Sequence, residues 1–349
     1  MPDEKQYVIT SSVEPRIKKV ETDRYKITFN MATGREELEG INGHPDPFSL
    51  YYPSLMDIGI MGHCSNRCEF CYQGDDQKPN MSLENFKRIV DESKEYVNQI
   101  ALGGRGSPNE HENFKEIVEY CIKNDIIPNY TTSGLNLTDE QIEISKMCGA
   151  VAVSDYEQDY TYSAINRFIN AGIKTNIHFL LSKKTFLKAI GILFGDDMWA
   201  GRVNTEKLNA IVFLLFKPQG RAKNLDWIIN TDGLKAFCHG IFDKKLAVLR
   251  LTRKMNFKLG MDSCLVNKVK KSGVHLTRRE EESMDTCEGA RMSMYISPDM
   301  RMIPCSFGGS EYGIPLEGKT IKEVWNNSDI FKKFREQLLK DPACCPFEL

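Results

Sequence analysis

The segment His63-Cys64-Ser65-Asn66-Arg67-Cys68-Glu69-Phe70-Cys71-Tyr72 spaces three cysteines as Cys-x3-Cys-x2-Cys. Three thiolates on one tight loop can each bind one iron of a [4Fe–4S] cube, which leaves the fourth iron without a protein ligand. Such an iron can chelate a small molecule, and an electron passed through the cube can then cleave a bond in it. Zinc is the competing reading, but it normally takes four ligands, commonly in two Cys-x2-Cys pairs, and no fourth stands nearby. Three inert buried thiols are the remaining alternative.

The whole cysteine set points the same way. The chain has 349 residues and 11 cysteines, an odd number, and no signal-peptide core opens it. In a reducing cytoplasm, the expected location, disulfides explain such a set poorly. Five cysteines fall in the last quarter, at Cys264, Cys287, Cys305, Cys344 and Cys345, and metal binding explains that clustering better than packing does. Cys121 and Cys238 lie on apolar helix faces and read as core, and Cys148 as buried. Hydrophobic content of 41%, charged content of 27% and a net charge of −2 describe an ordinary globular chain. They give no reason to expect nucleic acid or a membrane as partner, and no apolar run has the length of a spanning helix.

A loop can hold a cluster only if the elements around it hold the loop. From about residue 52 the hydrophobic pattern reads strand–loop–helix, repeated. Ser54–Met61 is the first strand, and Ser82 opens the helix after the cysteine loop. Gln99–Leu102, Ile127–Thr132, Ala150–Ser154, Lys174–Leu181 and Ala210–Phe216 are further strands, each followed by a helical pattern. Thr138 with Gln141 forms a capping box for the third helix. Strand–helix units in series favour a parallel sheet, whose loops at the strand C-terminal ends build the site. Residues 1–50 read as a β-hairpin extension turning at Ala32-Thr33-Gly34, and 51–250 as the α/β unit. Residues 251–349 break the pattern and read as a small α+β unit. It contains a hairpin of Met292–Ser297 with Arg301–Cys305 and two short helices, opened by Thr320 and Ser328.

The cysteine loop, with an aromatic residue (Phe70) before its third cysteine, resembles the signature of the radical S-adenosylmethionine (SAM) superfamily over about residues 54–220. The resemblance implies a partial (β/α)6, TIM-like barrel, and a [4Fe–4S] cluster on Cys64, Cys68 and Cys71. It further implies that SAM chelates the open iron and is cleaved to a 5′-deoxyadenosyl radical, with Phe70 near the adenine. Gly103-Gly104-Arg105-Gly106-Ser107-Pro108 is similar to the family's turn for the SAM amino group. Arg105 and Ser107 stand where an acidic residue is usual, so Ser107 is the candidate contact. By the same resemblance Ser133 belongs to a ribose-contacting turn, and Ser154 and Asp155 form a polar pair near SAM. Asn176 and His178 alternate with Ile177 and Phe179, so both face one side of the strand; facing into the barrel would set them over SAM. Lys217-Pro218-Gln219-Gly220-Arg221 resembles the Pro-x-Gly-Arg turn of members with an auxiliary cluster, and Arg221 can grip a carboxylate bidentately.

Cys287-Glu288-Gly289-Ala290-Arg291 and Pro304-Cys305 resemble the start of a SPASM or twitch auxiliary-cluster domain, with Met300 where that pattern has glycine. Five thiols there suffice for one auxiliary [4Fe–4S] cluster, on Cys264, Cys287, Cys305 and either Cys344 or Cys345, but not for two. The resemblance implies hydrogen abstraction from a ribosomally made peptide, with a flavodoxin- or ferredoxin-type reductant. A small-molecule substrate is the first alternative. An iron–sulfur protein that binds SAM or carries electrons without cleaving SAM is the second.

Overall fold

The computed structural model describes residues 7–10 and 16–347; the remainder of the expected N-terminal extension lies outside the described residues. Four strands, β1 (Tyr7–Thr10), β2 (Ile17–Glu21), β3 (Tyr25–Asn30) and β4 (Arg35–Gly40), form an antiparallel sheet in sequential order. The expected hairpin is its β3–β4 half, and Gly34 takes the positive φ of 75° that the turn requires.

The second sheet has ten strands. Six are β5 (Leu55–Met61), β6 (Gln99–Gly104), β7 (Ile127–Thr132), β8 (Ala150–Ser154), β9 (Thr175–Leu181) and β10 (Ala210–Leu215), parallel and in sequential order. The helices that return the chain are α1 (Leu83–Ser93), α2 (Phe114–Lys123), α3 (Asp139–Ser145), α4 (Asp159–Asn170), α5 (Phe186–Phe194) and α6 (Asp197–Ala200). After β10 come α7 (Thr231–Phe242) and α8 (Lys244–Thr252). This is a partial TIM-like barrel. The main core lies between strands and helices: Phe179 packs edge-on to Phe213, and Phe213 to Phe237 of α7. Each such buried aromatic contributes roughly 1.5–3 kcal/mol. Along β9 the alternation puts Ile177 and Phe179 in that core and leaves Asn176 and His178 facing the barrel interior.

Beyond residue 250 the parallel pattern continues instead of stopping. β11 (Lys258–Met261) adds a seventh parallel strand beside β10, ahead of α9 (Ser263–Lys271) and α10 (Arg278–Glu282). Four residues with a central glycine are too short to announce a strand by periodicity. β12 (Ser293–Ile296) then pairs in parallel with β5 on the opposite side of the sheet, and β13 (Arg301–Ile303) and β14 (Ile314–Pro315) extend it antiparallel. Met300, in the β12–β13 turn, has φ of 57°, a conformation in which glycine is favoured. α11 (Ile321–Asn327) and α12 (Asp329–Lys340) close the fold, with Trp325 donating to Leu50 O at 2.9 Å.

The four-stranded sheet covers the N-terminal ends of the barrel strands. Lys18 is 1% exposed, and its ammonium donates to the carbonyls of Lys94 and Val97 at 2.6 and 2.7 Å. Asn98 donates to Glu36 at 2.7 Å, and Lys174 to Thr33 O at 3.2 Å. With that end covered, the other end of the strands is the mouth.

Candidate active site

The cysteine loop leaves β5 at its C-terminal end, and close backbone packing shapes it. Gly104, at φ of 116°, lies so near β5 that a Cβ there would stand 2.3 Å from Met61 O. At Gly106 a Cβ would stand 2.5 Å from His63 O. Arg105 donates its amide to Met61 O at 2.9 Å, and its guanidinium to Gln73 O and Gly74 O at 2.8 and 2.9 Å. Arg105, which stands where the resemblance would put an acid, therefore clamps the loop. From the opposite side Gly220, at φ of 55°, approaches so closely that a Cβ would lie 2.4 Å from Gly74 N and Tyr72 O. Arg221 donates its amide to Cys71 O at 2.9 Å and pairs with Asp75 at 3.0 Å, its guanidinium lying against the Cys71 thiol.

Cys64, Cys68 and Cys71 are free thiols, each partly exposed and within electrostatic reach of one another. Burial pushes the Cys64 and Cys68 thiols up, and their neighbours add to it; bound iron reverses that balance by holding thiolates. Among the described residues no three His, Cys, Asp or Glu side chains converge on one ion. Three neighbouring thiols suit a cube, in which each thiolate meets its own iron. Two further features fit the group. A Cβ on Gly103 would meet nothing within 4 Å, so open space lies before the turn. The Arg221 Nε is buried without a nitrogen or oxygen partner.

The other candidates divide. Phe70 lies 5.6 Å from Tyr156 and 6.0 Å from Trp227, an aromatic wall beside the loop. The Ser107 hydroxyl bonds that of Ser133 at 3.1 Å and accepts from its amide at 3.1 Å, which ties the turns after β6 and β7 together. Ser154 bonds Tyr156, whose hydroxyl also lies at Cys68. Asp155 is held by Lys188 at 3.0 Å. Asn176 sits near the N-terminal end of β9, away from the mouth, and accepts from Asn209 at 2.6 Å. His178 faces the interior with Thr131 3.5 Å away, and burial pushes its pKa down to about 4, so it is neutral near pH 7. Sequence reasoning passed over Glu110, three residues past Ser107, which lies near Cys64 and His63 and whose carboxyl burial pushes up. An acid just beyond the glycine-rich turn was the available signal. Tyr156, Lys188 and Arg105 gave no signal of their own.

The C-terminal thiols form a second group. Cys264 interacts with Cys345 and Cys287, Cys287 with Cys345, and Cys305 with Cys264 and Cys287. Burial raises all three, Cys264 to about 12 and Cys287 to about 11. Cys344 faces Asp341 and Lys271 instead, which leaves Cys345 as the fourth member. Lys217 lies against this group. It is 6% exposed, pairs with Asp262 at 3.2 Å and stands over the Phe307 ring at 3.5 Å. The turn after β10 thus presents one cation to each thiol group, Lys217 to the second and Arg221 to the first.

Comparison with known proteins fits this arrangement. Residues 58–175 match the family model of the radical SAM superfamily. That family implies a [4Fe–4S] cluster and SAM binding for the matched stretch, which runs from the cysteine strand to the start of β9. No curated protein matches the chain significantly. Among solved structures, Streptococcus suis SuiB bound to precursor peptide SuiA shares 15% identity at a TM-score of 0.65, over 82% of this chain and 67% of that one. The enzyme anSMEcpe with bound AdoMet shares 13% at 0.59, over 80% of this chain and 79% of its own. Likeness at such identity shows a common fold.

Proposed function

We propose that this chain is a radical SAM enzyme with two clusters that modifies a ribosomally made peptide by hydrogen abstraction. The observation that carries the reading is the three-thiol loop at the barrel mouth, clamped by Arg105 and by Gly220-Arg221, with open space before Gly103. Cys64, Cys68 and Cys71 would hold the first [4Fe–4S] cluster, and Cys264, Cys287, Cys305 and Cys345 the auxiliary one. When bound, the cluster and SAM supply a 5′-deoxyadenosyl radical that removes hydrogen from an unactivated carbon.

The chain's own groups set the conditions for that chemistry. Phe70 and Tyr156 offer an apolar wall suited to an adenine, and the Ser107–Ser133 pair fixes the two turns that would flank SAM. Glu110 supplies a carboxylate beside the first cluster, where an amino group can be met. Arg221 and Lys217 place positive charge against the thiols that must stay deprotonated. The peptide class is supported by the solved neighbours that hold peptides: SuiB with SuiA, and anSMEcpe with AdoMet and the Cp18Cys peptide. A flavodoxin- or ferredoxin-type protein in a reducing cytoplasm would deliver the electron.

Anaerobic reconstitution with iron and sulfide tests the two-cluster arrangement. The wild type should bind about eight irons, and about four should remain either in the Cys64/Cys68/Cys71→Ala variant or in the Cys264/Cys287/Cys305/Cys345→Ala variant. About four irons in the wild type, all lost with the loop cysteines, would remove the auxiliary cluster.

A further inference from the structure

β11 ends the ten-stranded sheet, so among the described residues one of its sides faces no strand. Lys258 donates its amide to Asn209 O at 3.0 Å and Asp262 to Phe213 O at 2.9 Å, both toward β10. Alternate residues of a parallel strand turn their backbone groups to opposite sides, which leaves those of Leu259 and Met261 facing outward. A cleft of about 480 Å³ runs along this edge, a size typical of ligand sites. Phe242, Val266 and Met284 give it an apolar floor, and Asp285 and Glu288 an acidic wall; among the described residues the cations at its rim are Lys270, on Met284 O at 3.5 Å, and Arg291, on Thr286 Oγ1 at 3.4 Å.

Acidic side chains continue inward. Glu288 lies near Asp285, and Asp57, on the interior face of β5, lies near Glu288. Asp57 is half-buried, and among the described residues no hydrogen bond or ion pair engages its carboxyl group. Arg291, the cation beside Glu288, is already engaged: it donates to Phe48 O at 2.8 Å and Cys287 O at 3.1 Å and stacks over the Phe48 ring. A bare strand edge with an apolar floor is the arrangement to which an extended peptide adds as a further strand. Asp285, Glu288 and Asp57 outnumber the cations beside them, which favours a basic side chain there.

We propose that the substrate peptide pairs with β11 as an added strand and carries a lysine or arginine side chain inward past Glu288 toward Asp57. The inference deepens the peptide reading above and rests on it for the reaction, though not for the binding. Ser263 and Thr286 at the cleft wall adjoin Cys264 and Cys287, so a bound strand runs beside the second thiol group.

The test is fluorescence anisotropy on the reconstituted full-length protein at pH 8, above the value of about 7 to which burial pushes Asp57. The probe is the fluorescein-labelled peptide Gly-Thr-Val-Lys-Val-Thr-Gly, with counterparts carrying norleucine or glutamate in place of lysine. The lysine peptide should bind at least about tenfold tighter than the glutamate one. That ratio should collapse toward unity in Glu288→Gln and Asp57→Asn, each checked for retained fold by circular dichroism. Backbone N-methylation of the lysine peptide, which leaves the protein untouched, should weaken binding about tenfold by removing the strand pairing. Equal binding of the three peptides, no binding, or indifference to N-methylation would overturn the inference. SAM cleavage measured on the same sample separates the two readings: cleavage without peptide discrimination sinks only the cleft, and discrimination without cleavage sinks only the radical chemistry.

Discussion

Arg221 carries the most direct consequence at the scale of single residues. Its guanidinium lies against Cys71, and positive charge or hydrogen bonding at a cluster sulfur raises the reduction potential. Arg221→Met should therefore lower the potential of the loop cluster by several tens of millivolts, read by EPR-monitored redox titration, while Arg221→Lys recovers part of the shift. Among the C-terminal cysteines, Cys345→Ser should lose the auxiliary iron and Cys344→Ser should keep it, since Cys344 faces Lys271 and Asp341. Two interior groups make the metal-free chain's stability respond to pH in opposite directions. Burial, with Glu288 adding, pushes Asp57 from 3.8 up to about 7, so the folded chain holds a proton that the unfolded chain releases. That contribution is full below about pH 4 and is lost as pH rises through about 7. Burial pushes His178 from 6.5 down to about 4, so its contribution is full above about pH 6.5 and is lost as pH falls toward 4. Between those limits the two slopes, each at most about 1.4 kcal/mol per pH unit, nearly cancel. Denaturant titrations across that window should show stability rising with pH in Asp57→Asn and falling in His178→Gln; parallel curves for both would contradict the assignment. The cysteine loop was legible in the sequence because the spacing is itself the ligand geometry. Arg105 and Lys217 were not, because only tertiary neighbours decide whether a loop cation meets carbonyls, thiols or water.

At the scale of elements, glycine decides whether the loop can be held. Gly104→Ala would drive a Cβ into Met61 O, and Gly220→Ala into Gly74 N and Tyr72 O, both at positive φ. Both variants should stay folded by circular dichroism yet bind about half the iron of the wild type, because only the loop cluster loses its frame. Full iron occupancy in either would show that the loop does not depend on these contacts. Lys18 joins the four-stranded sheet to the barrel, and Lys18→Met would leave carbonyl acceptors buried without a donor, at a cost of about 1–3 kcal/mol in unfolding free energy. The six strand–helix units could be read from hydrophobic period alone, since each strand is long and apolar enough to stand out. β11 could not, with four residues and a glycine among them. Alternation likewise gave the sidedness of Asn176 and His178 on β9, but not depth: Asn176 lies toward the covered end, where Asn209 satisfies it.

At the scale of the whole molecule, one sheet supports both thiol groups. β5 carries the cysteine loop and also pairs with β12, whose hairpin leads to Cys305, so the C-terminal unit is built onto the barrel sheet. The turn after β10 touches both groups through Lys217 and Arg221. Composition and cysteine clustering pointed to two metal-binding regions, but only the strand order shows that they share a frame. Radical chemistry at the mouth loop has a direct readout in the fate of SAM. The reconstituted chain, given SAM and a strong reductant without oxygen, should form 5′-deoxyadenosine, and the Cys64/Cys68/Cys71→Ala variant should form none. Iron bound at the loop with no 5′-deoxyadenosine from the wild type would contradict the account and leave a non-catalytic iron–sulfur protein.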